Sequence, residues 1–250
     1  MKIAGIIPAR WGSTRFPGKI LAMLCGKSVI RWVCERAAAA KRLDCVAVAT
    51  DDERIRKAVE GFGGKCVMTR ADHPSGTDRA AEAAIGLEAD IVVNIQGDEP
   101  FLEPGTIDDL CAAMEADGDW DMGTAATPIR SDAELNDPSV VKVVWGMDRR
   151  AIYFSRSVIP FDRDGGYNPA NQVYWRHVGI YAYRSAFLKK FVAEPPCLIE
   201  EMEKLEQLRA LYLGARIRVI EASGVGVGID TPADLARAEE VMRAGGWRGK

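Results

Sequence analysis

Three fixed cations stand close together near the N-terminus, Arg10, Arg15 and Lys19, in the stretch IIPARWGSTRFPGK that follows a short apolar run. A guanidinium offers a planar fork to phosphate oxygens, and an ammonium adds a point charge. Gly12 and Gly18 in the same stretch allow backbone N–H groups to come close to an anion. The chemistry indicated is neutralisation of a phosphate-rich ligand. A Walker A loop does not fit: five residues separate Gly12 from Gly18, and Ile20 stands where a Ser or Thr would be needed. No Gly-x-Gly-x-x-Gly follows the first apolar run either. On charge alone, a solvated basic loop fits the same residues.

Two aspartates share a similar setting. Asp98 lies in NIQGDEP, just beyond an apolar run, and Asp230 lies in GIDTPAD. In the second motif Thr231 is a good N-cap, Pro232 suits the first helical position and Asp234 completes a capping-box pattern. Capping thus uses Thr231 and Asp234 and leaves Asp230 over. Magnesium bound to phosphates takes one or two protein carboxylates and keeps some water. These two residues are of the right type, though two ordinary aspartates at element ends fit equally. SGTDR (75–79) offers small residues, hydroxyls and backbone groups that can read the edge of a flat base, and Ser75 or Thr77 can also cap a helix. His73 reads as a loop residue without a catalytic part.

The elements that position these residues alternate over the first half of the chain. Ile3–Ile7, Cys45–Ala49, Cys66–Met68 and Ile91–Ile95 read as strands; Val29–Ala40, Asp52–Phe62 and Thr77–Leu87 between them read as helices. This rhythm predicts an α/β fold, a largely parallel sheet with helices on both faces. Ligands of such sheets bind at the carboxyl ends of the strands, where the opening loop, Thr50–Asp52, Thr69–Arg79 and Gln96–Pro100 should gather. From Met122 the pattern changes. Met122–Ile129, Val140–Trp145, Ala151–Ser155 and Val178–Tyr183 read as strands without regular crossover helices, which predicts a mixed, partly antiparallel lobe. Pro160–Gln172 reads as a mobile loop. Leu198, Met202, Leu205, Leu208 and Tyr212 recur at helical spacing and predict one helix with a buried stripe, with Glu206 and Gln207 off it. Arg216–Glu221 reads as a strand, a last helix starts at Thr231, and Gly245–Lys250 reads as a loose tail. The expected organisation is one domain over 1–250, with a nucleotide-binding part at about 1–120 and a smaller lobe at about 121–225.

Bulk composition narrows the class. The chain has 250 residues, 48% hydrophobic and 28% charged, with 33 Lys and Arg against 36 Asp and Glu and a net charge of −3. That balance argues against a dedicated nucleic-acid binder. No run approaches the ~20 apolar residues of a membrane helix, and no signal-peptide pattern follows the first apolar run. Six scattered cysteines without a Cys-x-x-Cys pair read as buried reduced thiols in a cytoplasmic protein. Two histidines, His73 and His177, exclude a histidine-rich metal site.

Taken together, IIPARWGSTRFPGK, VATDDERI, HPSGTDR, VNIQGDEPF, KVV, YFSRSVIPFDRD, RHVGIYAYR, LEQLR and GIDTPADL resemble, in order and over nearly the whole chain, the 3-deoxy-manno-octulosonate (KDO) cytidylyltransferases. The opening motif alone resembles the wider sugar nucleotidyltransferases, CMP-sialic acid synthetases included; HPSGTDR, RHVGIYAYR and LEQLR narrow it. The resemblance implies a nucleotide-diphospho-sugar transferase fold, a cytoplasmic homodimer, Mg2+ dependence and transfer of CMP from CTP to KDO for lipopolysaccharide biosynthesis. It places Arg10, Lys19, Asp98 and Asp230 in catalysis, with Asp98 and Asp230 on the metal. The nucleotide falls to Ala9, Arg10, Arg15, Lys19, Arg70, Ser75, Gly76, Thr77 and Gln96. The sugar acid falls to Arg156, His177, Tyr181, Glu206 and Gln207, because a sugar acid needs a cation for its carboxylate and polar groups for its hydroxyls. The alternatives are activation of a related acid, 8-amino-KDO or a nonulosonate, and a non-catalytic nucleotide-binding regulator. No nucleic acid and no membrane insertion are expected.

Overall fold

A computed structural model describes residues 1–12, 15–165, 173–222, 224 and 226–245. Parts of the expected mobile loop (166–172) and of the expected tail (246–250) lie outside them. The chain divides into two compact units. The first is Met1–Asp108 together with the C-terminal segment; the second is Asp109–Gly224.

In the first unit, β1 (Ile3–Pro8) lies between β6 (Ile91–Ile95) and β4 (Cys45–Thr50), and β4 carries β5 (Cys66–Met68) on its other side, all parallel. Ile3, Ile6 and Ile7 of β1 and Val92 and Val93 of β6 are buried whichever way they point. A central parallel strand is covered on both faces, so it reads as a continuous apolar run. Crossovers are made by α1 (Val29–Ala38), α2 (Glu53–Gly61) and α3 (Gly76–Ile85). Asp52 caps α2 through the Arg54 N–H, and Ser75 caps α3 through the Thr77 and Asp78 N–H groups. The last helix, α9 (Pro232–Ala244), returns to this unit: Ile229, Ala238 and Met242 pack with Leu24, Val29, Trp32 and Phe101 in one core cluster. Composition does not reveal the short hairpin of β2 (Met23–Leu24) and β3 (Lys27–Ser28), nor α4 (Pro104–Ala116), which leads into the second unit.

The second unit is mixed, as its change of rhythm predicts. β10 (Trp175–Arg184) runs antiparallel to β7 (Met122–Pro128) and to β8 (Lys142–Trp145). β9 (Ala151–Ser155) forms an antiparallel hairpin with β8, and β11 (Ile217–Glu221) joins β7 in parallel. The register of β10 shifts between Val178 and Tyr181. The helices are α5 (Asp132–Asn136), α6 (Ser185–Ala193), α7 (Leu198–Glu203) and α8 (Gln207–Tyr212).

The single helix expected over Leu198–Leu213 is in fact two, α7 and α8. Lys204 adopts a left-handed φ of 53° and separates α7 from α8. The stripe therefore fails: Leu205 and Leu208 are buried, but Leu198, Met202 and Tyr212 are exposed. A 3.6-residue period cannot carry one face across a break in the backbone. Gln207, expected off the buried face, is only 3% exposed.

Candidate active site

The opening loop is built around Trp11. Gly18 donates its N–H to the Trp11 carbonyl at 3.1 Å and has a φ of 72°; a Cβ there would sit 2.8 Å from the Trp11 ring. Only glycine meets both demands. On the Trp11 ring stacks the guanidinium of Arg54, 3.6 Å from its centroid, itself held by Asp52. Gly18 then hands the chain to a 3₁₀ turn, Lys19–Leu21, which sets the direction of Lys19.

Lys19 is the pivot of the first unit's polar edge. Its Nζ lies 2.5 Å from Asp98 Oδ2 and 2.8 Å from Asp230 Oδ1, with only 13% of its side chain exposed. Arg15 reaches the other oxygen of Asp230 at 3.1 Å. Burial alone would lower the Lys19 pKa, but Asp98 and then Asp230 outweigh it, and the ammonium is held above its usual value. Two loops far apart in sequence meet here because the Ile229 N–H donates to the Asp98 carbonyl at 2.9 Å. Gly226 makes the approach possible: a Cβ on it would fall 2.1 Å from Phe101 Cβ. Thr231 and Asp234 form the capping box of α9, so Asp230 is free of capping duty and its carboxylate faces the cations. Arg10 is exposed and has no ion-pair partner among the described residues.

The candidate base-reading loop, SGTDR, follows β5. Gly76 packs against Pro8 at the end of β1, where a Cβ would meet Pro8 Cγ at 3.3 Å. Ser75 and Thr77 are engaged in structure: Ser75 caps α3, and Thr77, 3% exposed, accepts from Asn94 Nδ2. Ala9 is buried with its N–H bonded to the Ala49 carbonyl, and Gln96 is half-buried just past β6. Arg70 is largely exposed; Glu82 accepts from its N–H and Nε and also contacts His73 Nε2, which ties 70–73 onto α3. Sequence reasoning misses Arg79. It is 4% exposed, pairs with Asp51 at 3.0 Å and donates to Thr69 Oγ1 and the Arg70 carbonyl, tying two loops to α3. Its place in SGTDR was the available signal.

The sugar-acid candidates all fall in the second unit, where the structure brings His177, Tyr181 and Gln207 together. The Thr124 hydroxyl donates to the Ile180 carbonyl at 2.8 Å, so it accepts from His177 Nε2–H at 2.9 Å. Burial, with Arg176 adding to it, pulls the His177 pKa down to about 3, so the ring is neutral. Its face lies 5.4 Å from the Tyr181 ring. Burial, then Glu206, pushes the Tyr181 phenol up, and its hydroxyl donates to Gln207 Oε1 at 3.3 Å. Gln207 Nε2 is buried with no hydrogen-bond partner among the described residues. An orphaned amide donor of this kind costs about 1–3 kcal/mol unless a ligand completes it.

Glu206 stands at the start of α8, 3.3 Å from Arg209 Nη2. Arg209 is 6% exposed, lies over the Phe191 ring and also pairs with Glu200. Arg156 donates from Nε to the Glu203 carbonyl and from Nη1 to the Pro138 carbonyl.

Comparison with known proteins gives the family. A family model described as cytidylyltransferase matches residues 4–217. A protein of Pelobacter propionicus named 3-deoxy-manno-octulosonate cytidylyltransferase is 49% identical, with 98% of each chain covered. One of the same name from Syntrophobacter fumaroxidans is 52% identical over 97% of each. A solved structure of CMP:2-keto-3-deoxy-manno-octonic acid synthetase complexed with CTP matches with a TM-score of 0.92 at 44% identity, covering 98% of this chain and 100% of that one. A 4-diphosphocytidyl-2C-methyl-D-erythritol synthase from Anaerococcus prevotii, at 15% identity and a TM-score of 0.65, shares the fold alone. With near-complete coverage and about half of all positions identical, this chain belongs to the 3-deoxy-manno-octulosonate cytidylyltransferase family.

Proposed function

We infer that this protein transfers CMP from CTP to the anomeric hydroxyl of KDO, releasing pyrophosphate, and that the residues above divide the task. The observation that carries this reading is the meeting of Lys19 with Asp98 and Asp230 beside the cationic opening loop. In-line attack on the α-phosphorus needs positioning and charge neutralisation more than covalent help. Arg10, Arg15 and Lys19 bind the triphosphate and stabilise the departing pyrophosphate. The Ser75–Thr77 turn and Gln96 orient the cytosine, with Ala9 and Arg70 beside it.

Mg2+ fits the donor set. Asp98 and Asp230 supply hard carboxylate oxygens, both within hydrogen-bonding reach of one nitrogen and therefore close to each other. Two carboxylates leave positions for phosphate oxygens and water. Bound there, the metal supplies charge neutralisation and lowers the pKa of an attacking hydroxyl.

Arg156 takes the sugar-acid carboxylate, while Glu206, Gln207, Tyr181 and His177 meet the hydroxyls. The orphaned Gln207 donor supports this assignment. The enzyme acts as a cytoplasmic homodimer; sedimentation at micromolar concentration reads that state, and a monomer would refute it. No helix among the described residues is long and apolar enough to cross a membrane.

The test is pyrophosphate release from CTP and Mg2+ with KDO, 8-amino-KDO or a nonulosonate as acceptor. Release with KDO well above the others is expected. Release with none would leave a nucleotide-binding regulator.

A further inference from the structure

Lys142 opens β8 and is fully buried, 0% exposed. No carboxylate lies within ion-pair distance of its ammonium among the described residues. Instead Nζ donates to three backbone carbonyls: Asp137 at 2.9 Å, Val140 at 2.8 Å and Arg156 at 2.8 Å. Burying a cation against carbonyls alone is costly, and an apolar side chain of similar volume would fill the space more cheaply. What only the ammonium supplies is a three-way tie, and one end of that tie is Arg156.

The opposite end of the same residue is held by Glu203. Its Oε2 accepts the Arg156 N–H at 2.9 Å, and its Oε1 accepts the Ser155 hydroxyl at 2.6 Å. Glu203 also turns its own carbonyl to Arg156 Nε at 2.7 Å. With Nη1 on the Pro138 carbonyl, the guanidinium is fixed along two of its three nitrogens. Its Nη2 has no hydrogen-bond partner among the described residues. Glu203 is the last residue of α7, immediately before the left-handed Lys204 and the chain that leads to Glu206 and Gln207.

We propose that Lys142 and Glu203 are positioning residues for the sugar-acid site, gripping the carbonyl and the N–H of Arg156 so that Nη2 is presented in one direction. The proposal rests on the reading that Arg156 takes the sugar-acid carboxylate. Neither residue touches substrate; both act through Arg156. A guanidinium that must find its direction anew at each encounter loses side-chain freedom on binding, whereas one fixed in advance does not.

The experiment compares Arg156→Ala, Lys142→Met and Glu203→Gln, and each of the last two combined with Arg156→Ala. KM for KDO is measured at saturating CTP and Mg2+, and KM for CTP at saturating KDO. Lys142→Met and Glu203→Gln are each expected to raise KM for KDO about tenfold, with KM for CTP changed less than about twofold. Each double variant should be no worse toward KDO than Arg156→Ala alone, a non-additivity that a merely structural role would not produce. If Lys142→Met does not fold, Glu203→Gln, which keeps one acceptor oxygen, decides. If Arg156→Ala impairs KDO use while Glu203→Gln leaves it unchanged, or if the effects multiply, the positioning role is overturned and the site reading stands. If Arg156→Ala itself leaves KM for KDO unchanged, the reading of Arg156 falls and the proposal with it.

Discussion

Arg209 holds Glu206 in place: its Nη2 lies 3.3 Å from Glu206 Oε1 while its Nε lies 3.1 Å from Glu200 Oε2. Glu206 is thus a carboxylate oriented by a buried cation, and losing it leaves Arg209 still paired with Glu200. Glu206→Ala should therefore fold normally and leave CTP binding intact. Loss of a charged hydrogen bond to a sugar hydroxyl costs about 1.5–3 kcal/mol, which is about ten- to a hundredfold in KDO use. Titrations with CTP and then with KDO at saturating CTP read the split. Unchanged KDO kinetics would remove Glu206 from the site.

Asp98→Asn and Asp230→Asn should each lower turnover by about a hundredfold or more at saturating Mg2+, since several kcal/mol of charge stabilisation are at stake. Chelation with EDTA should abolish activity in the wild type and restoration should follow added Mg2+. Near wild-type turnover in either variant would take that residue off the metal.

Lys19→Ala and Arg10→Ala should separate stability from function. Arg10 is exposed and has no ion-pair partner among the described residues, so its loss should leave Tm unchanged while raising KM for CTP about tenfold or more. Lys19 neutralises two carboxylates, so its loss should lower Tm without metal, and Mg2+ should recover part of the fall. The sign follows from its raised pKa: the contribution is present below the ordinary lysine value and lost only as pH rises above 10.5. Melting curves from pH 6 to 9 should show no Lys19-dependent slope. Equal Tm with and without Lys19 would make the pair of contacts energetically idle.

His177 should contribute no limb to the pH–rate profile between pH 5 and 9, because its folded pKa is about 3. Its stability effect has the opposite sense to that of Lys19. The folded value lies below the ordinary 6.5, so stability is retained above pH 6.5 and falls as pH drops toward 3. His177→Gln, which can still donate to Thr124, should flatten that fall. A His177-dependent rate limb near neutrality would overturn the neutral, hydrogen-bonding role.

Gly226→Ala should damage activity without touching a charged group. The added Cβ would sit 2.1 Å from Phe101 Cβ and must push the segment before Asp230 away from the loop of Asp98. Overpacking of this sort costs about 1–3 kcal/mol, and turnover should fall with Tm. Wild-type kinetics would mean the segment relaxes without moving Asp230.

What was legible in the sequence follows from how local its cause is. β5, β6 and β9 end where the apolar runs end, and the capping box at Thr231 and Asp234 forms as its residues dictate. Ser75 serves its cap because that interaction spans only three residues. The break at Lys204 was not legible, since a left-handed lysine leaves no trace in a hydrophobic period. Nor were Lys142 and Arg79, whose partners are backbone carbonyls and side chains supplied by other loops. Charge clusters point to chemistry early; the buried ties that aim them require the fold.

The return of α9 to the first unit sets an order of events at the ribosome. A nascent chain complete through β11 already holds β1, β4, β5 and β6, with Lys19 and Asp98 in hand, yet it lacks Asp230 and the residues Ile229, Ala238 and Met242. Leu24, Trp32 and Phe101 then have no lid, and the second carboxylate does not exist. Units that close early in synthesis fold early; this one cannot close until α9 has emerged. Closure of this core therefore waits for α9, and any chain that stops short of Asp230 carries an open core and leaves Lys19 without its second carboxylate.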